Sequence, residues 1–164
     1  MSSDNRIEEG ENMVIEVKNA TKKIAGKVIL DSITVNLESG KIYGVVGANG
    51  SGKTMFLRLL SGLMLPTEGN VLYNGKKLKK GCFPDSVGLL LENPAFLDQY
   101  TGLKNLQLLA TIRQRVSEEE VKVILRKVGL DPEDTRKYGK YSLGMKQRLG
   151  IASALMEKPE IVLL

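Results

Sequence analysis

The run Gly47-Ala48-Asn49-Gly50-Ser51-Gly52-Lys53-Thr54 reads G-x-x-x-x-G-K-T, and those residue types at that spacing bind phosphate. Glycines let a backbone curl until its N–H groups share one hollow, and amides oriented in this way hold anions. Lys53 adds a full positive charge suited to β- and γ-phosphates. The Thr54 hydroxyl is a hard oxygen ligand for the Mg²⁺ that travels with a nucleotide. Contacts to a nucleotide are therefore expected over Gly47, Ala48, Asn49, Gly50, Ser51, Gly52, Lys53, Thr54 and Met55, with Lys53 the one candidate for a catalytic role.

A second run, Tyr141-Ser142-Leu143-Gly144-Met145-Lys146-Gln147-Arg148, places a hydroxyl residue and a glycine at the head of a helical stretch. Such a helix end can present N–H groups to an anion. On these residues alone, a plain N-cap with a basic first half is the stronger account.

Phosphate chemistry at the first run needs a strand before it and a helix after it. Lys41 to Val46 is apolar enough for the strand, and Met55 to Leu60 has helical character, ended by Gly62 and Pro66. Upstream, Met13 to Val17, Lys27 to Leu30 and Ile33 to Leu37 read as strands, with Ile33, Val35 and Leu37 on one face. Gly69 to Tyr73 reads as another strand, turned by Asn74-Gly75 into a return through Lys76-Lys77-Leu78-Lys79-Lys80. That lysine cluster suits a solvated sheet edge that resists unwanted pairing, or else a patch for anionic lipid or nucleic acid. Val87 to Leu91 is a continuous apolar run, as in a strand buried on both faces.

After Pro94 the character turns helical. Thr101 can cap a helix to about Arg113, and Ser117-Glu118-Glu119-Glu120 is a capping box for a helix stopped by Gly129. A third helix fits Gly144 to Met156, and Ile161 to Leu164 reads as a buried strand. The order predicts an α/β chain: a parallel core, an antiparallel β-rich appendage and an inserted helical part.

Composition narrows the partners. The chain has 164 residues, no Trp and 5% aromatic residues, so stacking platforms for single-stranded nucleic acid are not expected. The net charge of +5 admits nucleic acid, an anionic membrane face or phosphate substrates. The lone cysteine, Cys82, cannot form an internal disulfide and is expected to be a buried or incidental thiol of a reducing cytosol. No apolar run reaches the roughly 18 residues of a membrane span, and residues 1–12 read as a polar tail without a signal-peptide core.

Together the two runs resemble the ATP-binding cassette family, the nucleotide-binding domains of ABC transporters. Tyr141-Ser142-Leu143-Gly144-Met145 looks like a variant of the family's LSGGQ signature, and the residues from Gln147 through Pro159 to Leu164 fit as well. The resemblance runs from about Met13 to Leu164. It implies a P-loop NTPase-like parallel sheet core with an antiparallel β subdomain and an inserted α-helical subdomain. The implied parts are 13–92 for the β subdomain and phosphate-loop core, 93–141 for the helical subdomain, and 142–164 for the signature helix and last core strand.

The resemblance also implies ATP and Mg²⁺ as cofactors and a head-to-tail dimer with a second ATPase subunit. In that dimer Ser142, Leu143, Gly144 and Met145 would act on the partner's nucleotide, with Ser142 and Gly144 touching its γ-phosphate. Transmembrane permease subunits would be driven by closure and release of the pair, from the cytoplasmic face of the membrane as a peripheral subunit. Nucleic acid is not expected as a partner.

Three departures qualify it. The family's adenine-stacking aromatic falls near Ile24, so apolar contact from Ile24 and Val28 replaces stacking. The family's glutamine after the strand Val87 to Leu91 aligns with Glu92, a carboxylate that can bind Mg²⁺ directly or through water; a solvated loop glutamate is the bland alternative. A glutamate there resembles exporters that confer self-immunity to antimicrobial peptides. The family continues with an acidic pair after Leu164 and later a histidine, whereas this chain has no histidine. The chain is therefore expected to be a piece of a longer product that binds nucleotide without efficient hydrolysis. Rival readings are a soluble cassette ATPase acting on ribosomes or DNA, and a non-catalytic nucleotide-binding piece.

Overall fold

Alternating burial builds the first sheet. Ile15 and Val17 turn inward from β1 (Val14–Ile24), while Ile33, Val35 and Leu37 of β2 (Lys27–Glu38) are half-buried between exposed neighbours. The computed structural model describes residues 14–78, 81–84, 86–92 and 94–164. The expected tail 1–12, Met13, Lys79 and Lys80 lie outside the described residues. The chain divides into two compact units after Pro84.

In the first unit, β1 and β2 form one long antiparallel hairpin closed at Ala25-Gly26. The two short strands expected at 27–30 and 33–37 are a single strand, interrupted by an irregularity where Ser32 adopts φ 47° and donates its N–H to Thr21 Oγ1 at 2.9 Å. β3 (Glu68–Tyr73) pairs with β1 and with the short β4 (Lys76–Lys77), giving the order β2-β1-β3-β4. Asn74 and Gly75 make the expected tight turn, both at positive φ. Lys76 and Lys77 thus stand on a sheet edge. α1 (Lys53–Leu60) buries Leu59 and Leu60, and Tyr73 of β3 donates its hydroxyl to Leu60 O.

The strand expected at Lys41 to Val46 is not formed. Residues 41–48 join no ladder among the described residues, and Ile42 and Val46 are almost fully exposed, at 103% and 95%. An apolar run supplies only the propensity for a strand, and the ladder partner must come from elsewhere in the fold. What orders the start of the run is local: Lys41 Nζ reaches Glu38 Oε2 at 2.5 Å, and the Glu38 N–H donates to the Tyr43 hydroxyl at 2.9 Å.

In the second unit, β5 (Val87–Leu89) pairs in parallel with β6 (Ile161–Leu163). The strand before Glu92 is thus held by the last strand among the described residues. α2 (Gly102–Arg113) is capped by Thr101, whose hydroxyl accepts from Lys104 N at 3.2 Å, and α3 (Glu118–Lys127) carries the complete capping box of Ser117 and Glu120. A short 3₁₀ turn, Tyr138–Lys140, leads into α4 (Leu143–Leu155). These helices close on Leu106, Val121, Leu125, Tyr138, Tyr141 and Leu149. Cys82 is exposed rather than buried. Among the described residues no helix is long and apolar enough to cross a membrane.

Candidate functional site

The Gly47–Thr54 loop closes over the N-terminus of α1. Ser51 N–H donates to Ala48 O at 3.1 Å, forming a turn, and Phe56 N–H donates to Gly52 O at 2.8 Å as the helix begins. Gly52 caps the helix at φ 93°, a conformation that suits glycine. A Cβ there would also stand 3.0 Å from Ile29 O and from Leu30 Cδ2, so the loop rests directly on β2.

Lys53 Nζ donates to Gly47 O at 2.7 Å and to Ala48 O at 2.9 Å. The ammonium is thereby fixed inside the curl of its own loop. An ammonium carries three donors, so one remains for an incoming oxygen. First-turn amides of a helix lack intrahelical partners and favour anions. Thr54 and most of the loop are exposed, and the whole arrangement is a donor-rich, cationic cradle open to solvent. It fits a phosphate chain, and the exposed Thr54 hydroxyl fits the oxygen chemistry of Mg²⁺.

Ile24 and Val28 lie at the tip of the β1–β2 hairpin and are 42% and 51% exposed. Ile24 pairs with Lys27 and Val28 with Lys23, so the pleat sends the two apolar side chains to opposite faces.

The second unit carries the other candidates. Glu92 is exposed, in the loop just after β5, where Leu90 N–H still reaches Leu163 O at 2.8 Å. Ser142 is the N-cap of α4, its hydroxyl accepting from Met145 N at 3.2 Å while its carbonyl accepts from Lys146 N at 2.9 Å. Leu143 is 66% exposed, and nothing lies within 4 Å of the point where a Gly144 Cβ would be. The head of this helix is therefore bare, with Met145 half-buried behind it.

Sequence reading missed the residues that hold this helix head in place. Tyr141 is buried, and its hydroxyl accepts from Gly102 N at 3.2 Å, tying the start of α2 to the residue before Ser142. Tyr138 donates to Pro94 O at 2.5 Å, packs edge-on to Phe96 at 5.3 Å and lies under Lys146 Nζ at 4.9 Å. Burial raises the pKa of both tyrosines above the ordinary phenol value, so both remain neutral hydroxyls. Asn105, also buried, accepts from Leu97 N at 2.9 Å and donates to Leu97 O at 3.1 Å and Thr101 O at 3.0 Å, locking the loop from Leu97 to Thr101. The only signal in the sequence was two tyrosines three residues apart in a stretch without strong helical character.

A sequence profile described as "ABC transporter" matches residues 30–164. The chain is similar to the uncharacterized ABC transporter ATP-binding protein YybJ of Bacillus subtilis (strain 168), at 49% identity over 92% of this chain and 70% of that protein. It is also similar to the bacitracin transport ATP-binding protein BcrA of Enterococcus faecalis, at 41% identity over 92% of this chain and 50% of the relative. The lantibiotic transport ATP-binding protein SrtF of Streptococcus pyogenes is 32% identical over 92% of this chain and 65% of its own length. The chain thus spans between half and about 70% of these relatives. Among solved structures, an ATP-binding subunit of an ABC transporter superposes with a TM-score of 0.75 at 26% identity, covering 91% of this chain and 64% of that one. A bacterial ABC transporter cassette solved as a dimer gives 0.77 at 25%, covering 90% and 72%.

Proposed function

The chain belongs to the ABC transporter family, and from that premise we propose that it is the ATP-binding part of a transporter subunit that couples ATP binding and hydrolysis to a membrane partner. The observation that carries the reading is the seated ammonium of Lys53, held by Gly47 O and Ala48 O at the head of α1. A triphosphate tail entering this cradle meets the remaining Lys53 donor and the unpaired amides of the loop and first helical turn. Thr54 is the oxygen ligand proposed for Mg²⁺ at this loop, where the metal when bound would neutralise phosphate charge; Glu92, on the other unit, is proposed only as a carboxylate with the right chemistry for the same metal. Ser142 and Gly144 are proposed to act on the nucleotide of a second copy arranged head to tail, since the helix they open is bare in this chain. The subunit would work at the cytoplasmic face of the membrane, against permease subunits. The bacitracin and lantibiotic names of two relatives support export of antimicrobial peptides as the transport class. The relatives described above carry transporter names, and nothing in the fold favours action on ribosomes or DNA.

The test is nucleotide affinity measured by calorimetry with MgATP. Lys53→Ala removes a charge-assisted donor of the kind that contributes about 1.5–3 kcal/mol, so binding is expected to weaken about 10- to 100-fold. Equal affinity in the two chains would overturn the assignment. The proposal that these 164 residues bind without efficient turnover is checked in the same preparation. ATP hydrolysis by the unsubstituted chain is expected to match that of the Lys53→Ala control.

A further inference from the structure

Within the second unit, β5 is paired on one side only. Ser86 O accepts from Ile161 N at 3.1 Å and Leu90 N–H donates to Leu163 O at 2.8 Å, so these positions face β6. A strand alternates its backbone polar groups between its two edges. The N–H groups of Val87 and Leu89 therefore turn to the opposite edge, where no strand stands among the described residues. The turn after α4 covers one face of β5, and a Cβ at Gly88 would stand 2.8 Å from Pro159 Cγ. A cavity of about 170 Å³ is lined by β5, the end of α2 and the end of α4. It is smaller than the roughly 300–1,000 Å³ of sites for drug-sized molecules, and it suits a small ion with its water.

Donors outnumber acceptors around this cavity. Arg113 gives one N–H to Glu157 Oε2 at 3.2 Å, and a guanidinium has five. Arg115 also lines the cavity, is exposed, and makes no hydrogen bond or ion pair among the described residues. Ser86 Oγ accepts from Glu160 N at 2.9 Å, which leaves its proton to donate. The Ser153 hydroxyl is already engaged, donating to Gly150 O at 2.8 Å. Glu157 carries the one carboxylate that lines the cavity among the described residues.

We propose that this cavity is a further anion site, which takes a phosphate group between Arg113 and Arg115 with the Ser86 hydroxyl as an added donor. Guanidinium groups recognise phosphate oxygens through paired N–H donors. Two guanidinium groups match the charge of a phosphate dianion better than that of a single carboxylate. The entering group competes with Glu157 for Arg113, so that carboxylate opposes binding. Every lining residue belongs to the second unit, and the site stands apart from the nucleotide reading of the Gly47–Thr54 loop.

The experiment follows backbone amide shifts by NMR in the isotope-labelled full chain while inorganic phosphate replaces chloride at constant ionic strength. Saturable shifts are expected at Val87, Leu89 and Ser153. Arg115 has no partner to lose, so Arg115→Gln keeps the fold. It is expected to weaken this binding about 10- to 100-fold, as for one charge-assisted bond, and to leave any response of residues 47–54 unchanged. Glu157→Gln is expected to tighten it at least about 3-fold, the size of one unit charge a few ångströms away in water. A cavity wall with a purely structural role would not give these opposite signs. Shifts that never saturate, unchanged affinity in Arg115→Gln or no tightening in Glu157→Gln would each overturn the proposal. A parallel titration with glycerol 3-phosphate separates the sources: tighter binding than inorganic phosphate assigns the site to a phosphate monoester, weaker binding to the free ion.

Discussion

Gly52 joins two demands at one position: it caps α1 at φ 93°, and a Cβ there would stand 3.0 Å from Ile29 O and Leu30 Cδ2 of β2. Gly52→Ala meets backbone strain and a 3.0 Å contact with a carbonyl that belongs to the sheet. A destabilisation of about 1–3 kcal/mol is expected from the strain, seen as a lower urea midpoint, together with weaker MgATP binding because the loop's curl depends on that residue. A second residue-scale expectation concerns Tyr141, the buried residue just before Ser142. Tyr141→Phe leaves the buried Gly102 N–H without its acceptor, a loss of about 1–3 kcal/mol. Denaturant titration checks this, and an unchanged midpoint would mean the Gly102 amide finds another acceptor. The phosphate loop was legible in the sequence because its chemistry is written in consecutive residues. Tyr138 and Tyr141 were not, because their partners Pro94 and Gly102 lie 44 and 39 residues away.

Elements with local signals formed as read. Thr101, Ser117 and Ser142 cap α2, α3 and α4 through their own side chains, and Asn74-Gly75 turns β3 into β4. Ladders needed more. Lys41 to Val46 has a strand's composition yet joins no ladder, whereas Val87 to Leu89 is a strand through its parallel pairing with β6. The cap of α3 also titrates. Glu120 is lowered to about 2 from an ordinary 4.5, first by the Lys158 ammonium and then by the Ser117 N–H and hydroxyl. The folded value lies below the unfolded one, so the contribution of Glu120 is complete above about pH 4.5 and is lost as pH falls toward about 2. The pair is solvent-exposed, so the effect shrinks in high salt. Thermal melts between pH 2 and 6 are expected to show Glu120→Gln and the unsubstituted chain converging at the acid end, and a constant gap would refute the assignment.

At the scale of the whole molecule, the bare head of α4 has a consequence for assembly. Two copies arranged head to tail would each place Ser142 and the first-turn amides of α4 on the other's nucleotide, and two-fold symmetry makes every such contact count twice. One charge-assisted bond per site contributes about 1.5–3 kcal/mol, hence about 3–6 kcal/mol per dimer. Association costs at least about 4 kcal/mol in lost freedom, so these bonds alone would be near balance and nucleotide is expected to decide whether copies pair. Gly144→Asp tests the idea cleanly. Nothing lies within 4 Å of its Cβ position and Gly144 is not at positive φ, so an aspartate fits the fold. Its carboxylate would stand at the helix head where a partner's phosphate is proposed to lie, opposing it at both sites. In sedimentation velocity, MgATP is expected to shift the unsubstituted chain toward a dimer and to leave Gly144→Asp monomeric. Calorimetry on the same samples is expected to show unchanged MgATP affinity in the variant's own loop. A dimer fraction equal in the two chains would remove Gly144 from any interface with nucleotide, and monomers throughout would show that the signature contacts cannot offset the cost of association within these 164 residues.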